Sequence, residues 1–151
     1  MADARPFITC HVLETTTGTP AQGVNVTLTL LSPTNGPSST GTFSGTTNTD
    51  GRVTSWNIPN DPDNAYSMDL NSAIQHAKRS LADDAATAAA KDDGQQQQLI
   101  WSLRFDTGSF YGKGKTFWPE VELRFFTKLT EKHYHVPLLL GPWSYTTYRG
   151  S

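Results

Sequence analysis

Short runs of strict alternation, broken by glycine and proline, constrain this chain more than any other feature. Phe7 to Leu13 puts Ile8, Cys10 and Val12 on one face of a strand and Phe7, Thr9, His11 and Leu13 on the other. Gly18-Thr19-Pro20 marks a turn, and Val24 to Leu31 is a second alternating, β-rich run. Ser32 to Ser39 reads as a loop and Thr40 to Asn48 as a modest edge strand. Asn48-Thr49-Asp50-Gly51 is a tight turn in which Gly51 can take positive φ, and Arg52 to Trp56 begins the next strand. Strand character returns at Leu99 to Phe105 and at Glu120 to Phe126, with a Gly-containing connection over Asp106 to Lys115. Lys132 to Leu140 and Trp143 to Tyr148 form a final pair around Gly141-Pro142. Seven or eight short strands separated by turns predict an all-β sandwich.

Residues 60 to 98 differ in kind. Asn60 to Asn64 is a loop signal, and Ser72 to Lys91 is Ala-rich, with Ile74, Ala77, Leu81, Ala85 and Ala88 at helical spacing. Asn71 is the expected N-cap. The apolar stripe is thin, so the helix is expected to be weakly held. Asp92-Asp93-Gly94 and the glutamines 95–98 end it in low complexity. The whole stretch reads as a mobile surface insertion in one domain spanning 1–151.

Bulk properties exclude several classes. The 151 residues suit one domain with a real core. A net charge of -2, with no basic stripe, argues against nucleic acid. Cys10 alone cannot form an intrachain disulfide. No apolar run is long enough to span a membrane. Met1 to Pro6 lacks the apolar region of a secretory signal, and no clear peroxisomal signal is present, so a cytoplasmic protein is expected.

Residues able to do chemistry are few. His11 faces away from Ile8, Cys10 and Val12; His135 interrupts an apolar run, with Tyr134 and Val136 on the opposite face. His133 shares the parity of His135, nearer the strand end, and is expected to be the more solvated of the two. Arg52 follows the tight turn. His133 and His135 are spaced to serve a metal, yet no carboxylate or Cys motif accompanies them, so no metal is expected. There is no Gly-x-Ser-x-Gly elbow, and Cys10 sits with core residues, which argues against a nucleophilic Ser or Cys. Taken singly, each of these residues reads as structural.

Their joint pattern resembles the transthyretin-like family, and within it the 5-hydroxyisourate hydrolases. The matching pieces are Thr9 to Glu14, Gly18 to Ala21, Gly23-Val24, Thr49 to Arg52, Phe105 to Gly108, Phe117 to Val121, His133 to Leu140 and Tyr148-Arg149-Gly150-Ser151. The His-Tyr-His-Val-Pro run together with the Tyr-Arg-Gly-Ser ending is the specific part. Hormone carriers of similar fold lack both that run's histidine and that ending. The resemblance implies a prealbumin-like, eight-stranded Greek-key β-sandwich with one short helix, to which residues 60–98 add the Ala/Gln-rich excursion. It implies a homotetramer, a dimer of dimers, with active sites in the channel between dimers. It implies hydrolysis of 5-hydroxyisourate, a purine-derived small molecule of urate degradation, without metal or organic cofactor. His11 and His135 would activate water and move protons, either one serving as base. Arg52 would stabilise the oxyanion, and Tyr148, Arg149 and Ser151 would contact substrate. A carrier of a small aromatic ligand in the same channel is the alternative, and an interaction module docking through the insertion is a third reading. The histidine pair with Arg52 weighs against a passive apolar channel, where such groups would cost desolvation.

Overall fold

The structure is a computed structural model and describes residues 5–32, 41–58, 69–87 and 98–151. The expected loops at 33–39 and 60–64, the position of Ala88 and the low-complexity run at 92–97 lie outside the described residues.

Nine strands in two sheets make up the β framework of the described residues. They are β1 (Ile8–Glu14), β2 (Thr19–Pro20), β3 (Asn25–Ser32), β4 (Thr42–Thr46), β5 (Arg52–Val53), β6 (Gln98–Phe105), β7 (Val121–Lys128), β8 (Tyr134–Leu140) and β9 (Tyr145–Thr147). The first sheet runs β2-β1-β8-β9, with β5 also paired to β1; the second runs β4-β3-β6-β7. The count exceeds the expected eight by one, the two-residue β2, which pairs with β1 where a turn was expected. The expected strand at Arg52 to Trp56 is only Arg52–Val53. Beyond it, Trp56 turns its indole Nε1–H onto the Ile8 carbonyl at 2.7 Å.

Alternation does what the sequence indicates. Along β1 every second residue from Ile8 to Glu14 is buried, and along β6 Leu99, Trp101, Leu103 and Phe105 are each fully buried. Together with Val26, Leu28, Phe43, Leu138 and Leu140 they fill the space between the sheets. Each such side chain contributes roughly 1.5–3 kcal/mol by leaving water. Trp101 is buried without an orphaned donor, because its Nε1–H reaches Thr127 Oγ1 at 2.9 Å. Edge strand β4 falls inside the expected Thr40 to Asn48.

Of the two described helices, the longer differs from expectation and the shorter is the one short helix the resemblance implies. α1 runs Leu70–Thr87, two residues earlier than predicted. Asp69, not Asn71, caps it: the Asp69 carboxylate accepts the Ser72 amide at 2.7 Å, and Asn71 lies inside the first turn. Its opening turns are not a free surface segment, for Leu70, Ala73, Ile74 and Ala77 are buried in the core cluster. α2 (Thr107–Tyr111) occupies the connection after β6, with the Asp106 side chain accepting from Ser109 N.

One pairing positions the chemistry. β1 and β8 lie parallel, from Ile8 opposite Tyr134 to Glu14 opposite Leu140, while β5 runs antiparallel along the other edge of β1. Segments distant in sequence thus lie side by side near the two ends of the described chain.

Candidate functional site

The outward face of β1, β8 and β5 gathers the polar residues. Thr9 stands opposite His135, and His11 stands opposite Arg52. The rings of His11 and His135 stack with centroids 6.4 Å apart and planes inclined by 30°. Arg52, Thr9, Thr54, His133, His135 and Ser151 line a cleft of about 660 Å³, together with Arg5 and Pro6. His11 flanks that cleft through its stack on His135.

Arg52 is delivered by turn chemistry. Asn48 Oδ1 accepts the amides of Asp50 and Arg52 at 2.9 and 3.0 Å, and its carbonyl accepts the Gly51 amide. Gly51 has φ 73° and gives its own carbonyl to Val12 N at 2.7 Å. A β-carbon there would run into the Val12 carbonyl oxygen, so the position admits only glycine.

The tail is held by backbone. Gly150 N donates to the His135 carbonyl at 2.9 Å, forming an isolated bridge. A β-carbon on Gly150 would stand 2.7 Å from His135 Cδ2 and 3.1 Å from Pro137 Cγ. The absent side chain therefore lets the chain end lie against the imidazole, and Ser151 reaches the cleft. Tyr148 and Arg149 are not among the residues lining that cleft. They line a neighbouring groove with Phe125, Phe126 and Tyr134, which His135 also borders. Arg149 pairs with Glu131 and lies 4.9 Å over the Tyr134 ring.

Electrostatics keep both histidines uncharged near neutral pH. Burial and then the Arg52 charge hold His11 below its ordinary 6.5, against an opposing hydrogen bond from the Asp50 backbone. His135 is lowered by burial first, then by Arg52, His11, His133 and Arg5. Neutral imidazoles beside a guanidinium can accept a proton from water while the cation holds a developing anion. Cys10 cannot compete as nucleophile: burial pushes its thiol up to about 12, against a smaller lowering by the Val53 backbone.

His133 corrects the sequence reading. It is half-buried like its neighbour rather than the solvated member of the pair. Its Nδ1 lies 2.8 Å from the Pro6 carbonyl and its Nε2 3.3 Å from Thr9 Oγ1, so neither nitrogen is free for a metal. Among the described residues no three His, Cys, Asp or Glu side chains converge as a metal site. Thr9, Thr54 and Arg5 were not singled out as site residues from the sequence. Thr9 and His133 were signalled by sharing the strand faces of His11 and His135, and Gly150 came with the Tyr-Arg-Gly-Ser ending; Arg5 carried no local signal.

The HIUase/transthyretin family model matches residues 8–150. The chain belongs to the HIUase/transthyretin family. It is similar to a probable 5-hydroxyisourate hydrolase of Schizosaccharomyces pombe, 35% identical over 97% of this chain and 92% of that protein. The 5-hydroxyisourate hydrolase of Mus musculus is 34% identical, with both chains covered completely. Among solved structures, Klebsiella pneumoniae 5-hydroxyisourate hydrolase superposes with a TM-score of 0.57 at 21% identity, covering 95% of this chain and 98% of its own. Sea bream transthyretin in complex with thyroxine superposes with 0.59 at 20% identity, covering 95% and 94%. These two superpositions establish the family's sandwich fold here. No described helix is long and apolar enough to cross a membrane.

Proposed function

We propose that this chain hydrolyses 5-hydroxyisourate to 2-oxo-4-hydroxy-4-carboxy-5-ureidoimidazoline. The observation that carries the reading is a cleft lined by His135 and Arg52, with His11 stacked on His135 beside it and both histidines of depressed pKa, in a chain 34–35% identical to proteins named for that activity. One imidazole removes a proton from water as its oxygen attacks a ring carbonyl carbon. Arg52 binds the oxygen that becomes negative. Collapse of the tetrahedral centre breaks the C–N bond, and the proton taken from water passes to the departing nitrogen. Water's hydroxyl ends on the carboxylate and its proton on nitrogen, so the step balances without metal or cofactor. His11 and His135 share the proton work, Ser151 contacts substrate from the tail, and Tyr148 and Arg149 extend that contact.

The reading includes a homotetramer, a dimer of dimers whose channel encloses the cleft, and a single domain with residues 60–98 as an insertion outside the chemistry. It places the protein in the cytoplasm. Adding the protein to 5-hydroxyisourate freshly made from urate and urate oxidase tests it: ultraviolet absorbance of the substrate should decay faster than in buffer. Tight binding with unchanged decay would replace the hydrolase by a small-ligand carrier.

A further inference from the structure

The hydrogen bonds behind His135 form a directed chain. His133 Nδ1 lies 2.8 Å from the Pro6 carbonyl oxygen, His133 Nε2 lies 3.3 Å from Thr9 Oγ1, and Thr9 Oγ1 lies 2.8 Å from His135 Nδ1. With His133 neutral, donor and acceptor bookkeeping assigns its direction. A carbonyl only accepts, so the His133 proton sits on Nδ1. In the neutral ring Nε2 then carries a lone pair and needs a donor. Thr9 owns one hydroxyl proton. Turned toward His133 it satisfies that lone pair; turned away it would leave two lone pairs facing each other across 3.3 Å. With its proton given to His133, Thr9 can only accept from His135. His135 Nδ1 must therefore carry the hydrogen. Its Nε2 keeps the lone pair, and that nitrogen has no protein partner among the described residues. It sits on the ring edge whose Cδ2 abuts Gly150, beside the chain end that brings Ser151 into the cleft.

We propose that Thr9 and His133 are positioning residues: anchored on the Pro6 carbonyl, they hold His135 as its Nδ1–H tautomer, with Nε2 presented to the cleft as the proton acceptor. Neither touches the reacting atoms; each acts through His135. The kinetic consequence rests on the hydrolase reading above, whereas the tautomer does not. Strand register supports the assignment. Thr9 is the direct cross-strand partner of His135, and His133 is two residues before it on the same face. The parallel β1–β8 pairing thus builds the relay from backbone geometry, before substrate arrives. A wrong tautomer would point a hydrogen, not a lone pair, at the attacking water.

The test combines nitrogen-15 histidine spectra with kinetics on the full chain. In the wild-type protein near neutral pH, His135 is expected as a single Nδ1–H tautomer, and that spectrum decides the proposal even if a variant folds poorly. Thr9→Val and His133→Phe should each turn it into a mixture and lower kcat about 10–100-fold with KM little changed, the scale seen when an orienting partner is lost. Thr9→Ser should restore both the single tautomer and near wild-type kcat, which a purely packing role for Thr9 would not require. An Nε2–H tautomer in the wild type, or full kcat with an unaltered tautomer in Thr9→Val, overturns the proposal. A single Nδ1–H tautomer in a protein inactive on 5-hydroxyisourate would uphold the relay and remove the hydrolase reading instead.

Discussion

Arg52 serves two ends from one position. In the proposed mechanism it presents a fixed cation to an oxyanion, and its charge adds to burial in holding His11 and His135 below 6.5. A donor aimed at developing negative charge is worth roughly 2.7–4 kcal/mol. Arg52→Ala should therefore lower kcat by about 10²–10³, checked by steady-state kinetics; an unchanged kcat would detach Arg52 from the chemistry. The pH profile carries a second signature. A histidine base works only when neutral, and both folded-state values lie below 6.5. Activity should hold from neutral pH down past 6.5 and fall only as these lowered values are crossed. In Arg52→Gln, whose remaining turnover is still measurable, the acid limb should move to higher pH, because the like charge that disfavours imidazolium is gone. A limb that stays in place would show that burial alone sets it. At this scale the sequence marked His11, His135 and Arg52 but misjudged His133. Parity told which way His133 faces; it could not tell that Pro6 and Thr9 would meet its two nitrogens.

At the scale of elements, turns and caps were read with mixed success. Asn48 to Gly51 was legible because its residues satisfy the turn locally. The α1 start was displaced because Asp69 competes with Asn71 as cap, and the carboxylate reaches Ser72 N. The link between β1 and α2 was invisible in sequence. Glu14 ends β1 buried at 7% exposure, and its carboxylate accepts the Tyr111 hydroxyl and the amides of Thr16 and Thr17. Burial alone would raise its pKa, but these bonds outweigh it and hold it below 4.5. A depressed carboxylate stabilises the fold above its unfolded value, and that contribution is lost as pH falls through the folded one. Glu14→Gln should destabilise the domain by about 1–3 kcal/mol at pH 7, the cost of leaving buried partners poorly matched. Denaturant melts should show the gap narrowing below pH 4.5. A gap independent of pH would mean the charge is not what matters.

Across the whole molecule, the two-sheet sandwich follows from alternation and turn residues, and the family was legible in motifs scattered from Thr9 to Ser151. What alternation cannot supply is which strand neighbours which. A period of two assigns Thr9, His11 and His135 to outer faces but says nothing of a parallel β1–β8 pair with β5 on the far edge. That topology sets Thr9, His135 and Arg52 around one cleft, with His11 stacked on His135 beside it. In the proposed mechanism, hydrolysis in this cleft runs through His135. The most direct measurement is an ultraviolet time course on freshly generated 5-hydroxyisourate, comparing wild type with a folded His135→Ala variant at equal concentration. Rapid decay is expected with wild type and a rate lower by about 10²–10⁴ with the variant, the range for loss of a general acid–base group. Equal acceleration by both proteins would contradict it.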